Sequence, residues 1–354
     1  MSFLRSALAL AIMLVLPLPA LAQRPIERLF YYTDNEAAWE SLQRNIADIS
    51  IVAPGRYSVD EDGIIWGDVD ARVLRLARQH DVPVMPLVVN PGFDQQMLHR
   101  FLVNDAARAR AVASLVELCR RHGYAGIQVD FENLSINDRD AFTQFYRELA
   151  TALHRDGYMI SAAVVHRPDE LAGTSQYHKW LFANWRAGYD LAAIGEIGDF
   201  VSLMSYNQHT RRTPPGPQHG MPWIREVVEY ALRHVPANKL SMGIITNSMH
   251  WYTSQEDRIT PELARSYSAV LGHGRALGLA ERYAASWRWD EEQQNAFTYF
   301  ANGGTFEWIF LEDARSFAPR LALVDEYNLR GFSVWVIGSE DPEIWTVLRR
   351  RSGR

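Results

Sequence analysis

Gly126-Ile127-Gln128-Val129-Asp130-Phe131-Glu132-Asn133 alternates between apolar and polar residues and carries two carboxylates at i and i+2. On a β-strand successive side chains leave opposite faces, so Gln128, Asp130 and Glu132 share one side and Ile127, Val129 and Phe131 the other. A strand with acids on one face and bulky apolar groups on the other suits a (β/α)8 TIM barrel. Helices there cover the apolar outside, and the C-terminal strand ends build the site. Desolvating carboxylates without partners is expensive, so the pair reads as chemistry rather than architecture.

Working outward, strand and helix patterns alternate along the chain. Strands are expected at Leu29–Tyr32, Ile49–Ala53, Val84–Val89, Met159–Val165, Phe200–Ser205, Leu240–Ile245, Phe306–Leu311 and Gly331–Val336, besides the acidic segment. Helices are expected at Ala37–Ile46, Asp70–Gln79, Asp105–Arg121, Arg139–His154, Pro222–His234, Ala314–Tyr327 and Pro342–Arg350. Arg56–Trp66 reads as a hairpin turning at Asp62-Gly63. About eight repeated strand–helix units favour a closed parallel barrel over an open sheet. No GxGxxG or GxxxxGK[ST] follows a strand, which disfavours a nucleotide-binding sheet. Two segments, Arg167–Gly198 and His250–Gly304, exceed the usual loop of ~2–6 residues. The second contains a helix-like run, Pro261–Leu277, and predicts an inserted substructure after the seventh strand, near 250–304. Residues 23–354 therefore form one decorated barrel domain.

Residues 1–22 have a basic start, an apolar run from Ala7 to Leu18 and Ala20-Leu21-Ala22, the pattern of a cleaved signal peptide. The apolar run is shorter than the ~20 residues of a spanning helix. The mature protein is expected to be secreted or periplasmic, without stable membrane insertion. The 354 residues carry a formal net charge of −6 with no basic run, which offers nothing to nucleic acid. Cys119, the single cysteine, falls on the apolar side of a helical pattern and reads as core. The histidines show no metal-ligand spacing, so neither a metal nor another cofactor is indicated.

The acid motif resembles that of glycoside hydrolase family 18, the chitinases and related N-acetylglucosaminidases. That family ends its fourth barrel strand with Asp-x-Asp-x-Glu; Asp130 and Glu132 match the last two members. Val129-Asp130-Phe131-Glu132-Asn133 is similar to the spore-germination and cortex-lytic branch. Tyr189–His209 resembles the sixth-strand Met-x-Tyr-Asp region and Lys239–Ile245 the seventh strand. Ala314–Trp345 resembles the eighth, with Trp335 matching the tryptophan at the base of the sugar site. Three positions depart from the pattern: Ala125 and Gln128 stand where the family has acids, and Asn207 stands in place of the Asp after the sixth-strand Tyr. Asn207 can donate and accept hydrogen bonds but cannot hold a proton as Asp can.

Most glycosidases flank the scissile bond with two carboxylates. Asp130 and Glu132 lie on one strand with Cα atoms about 6.5–7 Å apart, a poor arrangement for flanking a sugar. This favours the substrate-assisted exception, in which the sugar's 2-acetamido oxygen attacks the anomeric carbon. The resemblance then implies that Glu132 is general acid and base, and that Asp130 orients the acetamido group. Tyr206 and Asn207 would hold the acetamido oxygen, Trp335 would form the floor, and Gln128 would support Asp130. His166 is a candidate for lining the site, and Trp223, Trp251 and Tyr252 for stacking on sugar rings; ordinary packing is the alternative for each. The expected partner is an N-acetylglucosamine-containing polysaccharide such as peptidoglycan or chitin. The alternative is a chitinase-like sugar-binding protein with weak or lost catalysis.

Overall fold

The computed structural model describes residues 24–210, 213–253 and 266–353; the expected signal peptide lies outside the described residues. The chain begins with β1 (Glu27–Tyr32), β2 (Ile51–Pro54), β3 (Arg56–Val59), β4 (Ile65–Asp68), β5 (Leu87–Val89), β6 (Gly126–Asp130), β7 (Met159–Val165), β8 (Phe200–Met204) and β9 (Leu240–Ile245). These join β15 (Gly331–Trp335) in a ten-stranded sheet ordered β2-β1-β15-β9-β8-β7-β6-β5-β3-β4. All neighbours are parallel except β3 and β4, which form the hairpin expected at Asp62-Gly63.

The two ends of this sheet meet. β2 and β3 are one bent strand, interrupted at Gly55 with φ +49°. Its first half bridges Val52 to Val84 and its second half pairs with β5, so residues 51–59 run beside residues 84–89. Hydrogen bonds from Val52 N to Pro83 O and from Met85 N to Val52 O, both 3.0 Å, close the ring into eight parallel strands. The contact between β6 and β7 requires glycine at 126, because a Cβ there would stand 2.0 Å from the Met159 carbonyl oxygen.

Period-two alternation sorts the core into two shells. Leu29, Tyr31, Ile51, Ala53, Met85, Leu87 and Phe200 fill the barrel. Phe30, Val52, Val88, Ile127, Val129 and Phe131 face outward beneath the helices. Cys119 is buried in this outer shell. The helix Asp105–His122 shows the local logic: Asn104 caps its first turn and Gly123, at φ +68°, ends it just ahead of β6.

After β9 the chain leaves the barrel to build a second sheet from β10 (Ser248–Thr253), β11 (Ser266–Leu271), β12 (Arg288–Asp290), β13 (Asn295–Asn302) and β14 (Thr305–Leu311). Its order is β11-β10-β14-β13-β12, antiparallel throughout. The insertion is where the sequence places it but runs further, from 248 to 311. Two expectations change. Phe306–Leu311 belongs to this sheet rather than to the barrel. Ser266–Leu271 is a strand rather than helix, because its ladder to β10 satisfies its backbone and overrides a short apolar run of ambiguous period; the helix starts at His273.

The buried Arg320 guanidinium anchors the insertion to the barrel, donating to the carbonyls of His219, Gln294 and Ser316. Beside it, His219 Nε2 lies 2.8 Å from Glu312 Oε2, and Asn295 donates to Glu312 Oε1.

Candidate active site

β6 delivers Asp130 to the C-terminal mouth of the barrel, in register with Val89 of β5, and Glu132 follows two residues on. The peptide of Glu132 is clamped by Asn90, at the end of β5. Asn90 Nδ2 donates to the Glu132 carbonyl at 2.8 Å, and Glu132 N donates to Asn90 Oδ1 at 2.9 Å. On one side Tyr189 OH donates to the Phe131 carbonyl at 2.6 Å. On the other, Asn133 turns the chain at φ +54° and is tied to Phe93 O and Gln95 Nε2, both at 2.9 Å. Three consecutive residues are thus pinned by side chains from other elements.

Gln128, fully buried in the barrel, donates to Ser161 Oγ at 2.9 Å and Ser202 Oγ at 3.1 Å. Asp130 Oδ1 is enclosed and receives no hydrogen bond. Its carboxyl is pushed well above the ordinary carboxylate range by burial. Burial, together with the charge of Asp130, does the same to Glu132. Two neighbouring desolvated carboxyls cannot both ionise cheaply, so the pair is built to keep a proton near neutral pH.

Glu132 opens onto a cavity of about 350 Å³ that is also lined by His166, Trp180, Trp185, Arg186, Tyr206 and Asn207. Tyr206 is buried against Met204 and Ile245, and Asn207, with φ +63°, is exposed on the wall. His166 Nδ1 donates to Met204 O at 3.0 Å, which leaves Nε2 to accept from Arg186 Nη2 at 3.0 Å. The imidazole is neutral, its pKa lowered to about 3 by burial and by the Arg186 charge. Trp335 packs on Tyr31, with ring centroids 5.5 Å apart, and on the Met204–Tyr206 cluster, in the barrel mouth beside the cavity.

The other aromatic candidates lie elsewhere. Trp223 sets its ring edge-on to His166 at 4.6 Å and backs the cavity wall without lining it. Trp251 has 0% exposure inside the inserted sheet, so its ring has no face free for a sugar. Tyr252 is half-buried on the same sheet, its ring 5.1 Å from His250 and 5.9 Å from Tyr267. Sequence reasoning missed Asn90, Arg186, Trp180 and Trp185. The over-long segment 167–198 was the available signal for the last three; nothing in Asn90-Pro91-Gly92 beyond a turn pointed to the first.

A closed parallel barrel with a proton-holding acid pair at its mouth, set in an aromatic-lined cleft, defines a barrel glycosidase. The chain belongs to the family described as "Glycosyl hydrolases family 18", whose model matches residues 30–340. It is 34% identical over 261 residues to the cortical fragment-lytic enzyme of Bacillus subtilis (strain 168), covering 73% of this chain and 57% of that protein. The chain thus spans less than two thirds of that relative's length. Among solved structures it is similar to a chitinase from Chromobacterium violaceum ATCC 12472, with 26% identity, a TM-score of 0.81, and coverage of 93% of this chain and all of that one. The spore cortex-lytic enzyme SleL of Bacillus megaterium QM B1551 shares the fold, with a TM-score of 0.81 at 23% identity and coverage of 94% and 75%.

Proposed function

We propose that this protein is an exported hydrolase of β-1,4-linked N-acetylglucosamine-containing polysaccharide, peptidoglycan or a chitin-like polymer, working by substrate-assisted retaining catalysis. One observation carries the mechanism: Glu132 is the only carboxyl among the described residues lining the cavity, and Asp130 stands two residues before it, at the end of β6. No second described carboxyl lines the cavity to serve as an enzymic nucleophile.

In this reading protonated Glu132 donates to the glycosidic oxygen as the bond to the anomeric carbon breaks. The substrate's acetamido oxygen attacks that carbon, closing an oxazolinium ring. Ionised Asp130 accepts a hydrogen bond from the acetamido N–H and offsets the ring's positive charge. Glu132, now a carboxylate, takes a proton from water as the water opens the ring, which restores the acid and retains the configuration. Tyr206 and Asn207 position the acetamido group, and Trp335 supplies an apolar surface for its methyl. The names of relatives that act on spore cortex favour peptidoglycan among the candidate polymers.

The test is mass spectrometry of products from N-acetylglucosamine oligomers and purified peptidoglycan, with wild type and Glu132→Gln. Cleavage by wild type alone supports the reading. Comparable cleavage of a glucan lacking N-acetyl groups would contradict it, and binding without cleavage would turn the protein into a lectin.

A further inference from the structure

The cavity onto which Glu132 opens is also lined by an arginine that has no carboxylate partner among the described residues. Arg186 ends a π-helical turn, Phe182–Arg186, closed by Ala187 N donating to Phe182 O at 2.9 Å. Such i→i+5 turns re-aim side chains and recur at functional sites. Here both Trp185 and Arg186 line the cavity. Arg186 makes one hydrogen bond among the described residues, the one to neutral His166 Nε2. No described carboxylate comes within 4.0 Å of it; Asp169 and Tyr177 act on it only at longer range. Its Nε and the neighbouring Trp185 Nε1 are both enclosed donors with no acceptor.

A largely desolvated guanidinium without a counter-ion is costly. By contrast Arg320, fully buried where the insertion meets the barrel, has its donors answered by backbone carbonyls. A ligand anion would answer those of Arg186. His166 fixes the plane of the fork, and a planar fork fits a carboxylate through two parallel N–H···O bonds.

We propose that Arg186 is a specificity-determining residue that receives a carboxylate carried by the glycan. The enzyme would then prefer acidic N-acetylhexosamine chains, in which alternate sugars bear an ether-linked lactate, over neutral N-acetylglucosamine homopolymers. This rests on the reading that an N-acetylated sugar chain occupies the cleft. The carboxylate has two sources, the free lactyl group of peptide-stripped strands or the peptide attached to it.

The experiment is calorimetric binding of four probes: peptide-stripped glycan oligomers, their methyl esters, peptide-bearing oligomers and neutral N-acetylglucosamine oligomers. Wild type should bind the free acid about 10–100-fold more tightly than its ester, the range expected of a charge-assisted pair. Arg186→Gln should abolish that ratio, the acid and its ester then binding alike whatever the variant's affinity for the neutral oligomer. Arg186→Lys, which keeps the charge and loses the fork, should fall between. A ratio carried by the peptide-bearing strands instead assigns the peptide carboxylate as the source. Equal binding of acid and ester by wild type, a result independent of how any variant folds, overturns the proposal unless the peptide-bearing strands show the preference. Turnover measured in parallel separates the two readings. Cleavage without discrimination removes the role of Arg186 and leaves the hydrolase, whereas discrimination without cleavage does the reverse.

Discussion

Replacing Asn90 by Ala tests whether Glu132, the proposed catalytic acid, is positioned by its own segment or by its neighbour. Asn90 is 1% exposed, and its amide makes both of the clamping bonds to the Glu132 peptide, at 2.8 and 2.9 Å. Each bond contributes about 1 kcal/mol net, and a buried peptide group left without a partner costs about 1–3 kcal/mol. The stability loss should be about 2–4 kcal/mol, read from the urea midpoint at constant m-value. The kinetic effect should be larger than uniform weakening. A displacement of about 1 Å at a reacting group costs about 100-fold, so kcat should fall about 10–100-fold while KM moves little. Asn90→Asp sharpens the test. It keeps an acceptor for Glu132 N but points a carboxylate at the Glu132 carbonyl, which should preserve neither position nor rate. An Asn90→Ala protein with unchanged midpoint and unchanged kcat would refute the clamp and leave Glu132 held by β6 alone.

Further consequences concern charge and the insertion. Because burial and Asp130 together raise Glu132, the acid stays protonated above the ordinary carboxylate range; the alkaline limb of kcat/KM should lie there and move to lower pH in the residual activity of Asp130→Asn. The same shifts have a stability sign. A folded pKa above the unfolded one means the native state binds more protons, so stability falls as pH rises from about 4 through the raised pKa. Asp130→Asn and Glu132→Gln should therefore raise the denaturation midpoint at pH 8 and leave it little changed at pH 3.5; no difference between the two pH values would contradict the burial argument. Arg320→Leu takes the guanidinium donor from the buried His219 and Gln294 carbonyls and should cost about 3–5 kcal/mol, with limited proteolysis falling between residues 248 and 311 before the barrel is cut. Gln128→Glu restores the acid that the family pattern has there but buries a third carboxyl against Ser161 and Ser202. It should lower the midpoint at pH 8 relative to pH 4, and a pH-independent midpoint would count against the enclosure of that face.

How much of this was legible follows from which physical signals are local. The alternation around Asp130 is set by the strand's own pleat, so the inward acids and the outward Ile127, Val129 and Phe131 could be read from one line of sequence. Met159–Val165 and Leu240–Ile245 are found with the expected bounds because both are continuous buried runs with turns on either side. The errors arise where pairing partners decide. Ser266–Leu271 is a strand because β10 lies beside it, and Phe306–Leu311 leaves the barrel because β13 and β10 claim it from both sides. The same dependence keeps Trp251 away from the cavity: placed just past a barrel strand it reads as a rim aromatic, but the inserted sheet closes over it. Asn90 and Arg186 were out of reach for a related reason. Each does its work on an element remote in sequence, Asn90 on the Glu132 peptide 42 positions away and Arg186 on His166 at a distance of 20. A motif names the groups that react, because chemistry restricts their types. The residues that hold those groups need only reach a backbone amide or a ring nitrogen, a task open to several side chains, so they acquire meaning only when the ring of strands closes and sets them beside the acid.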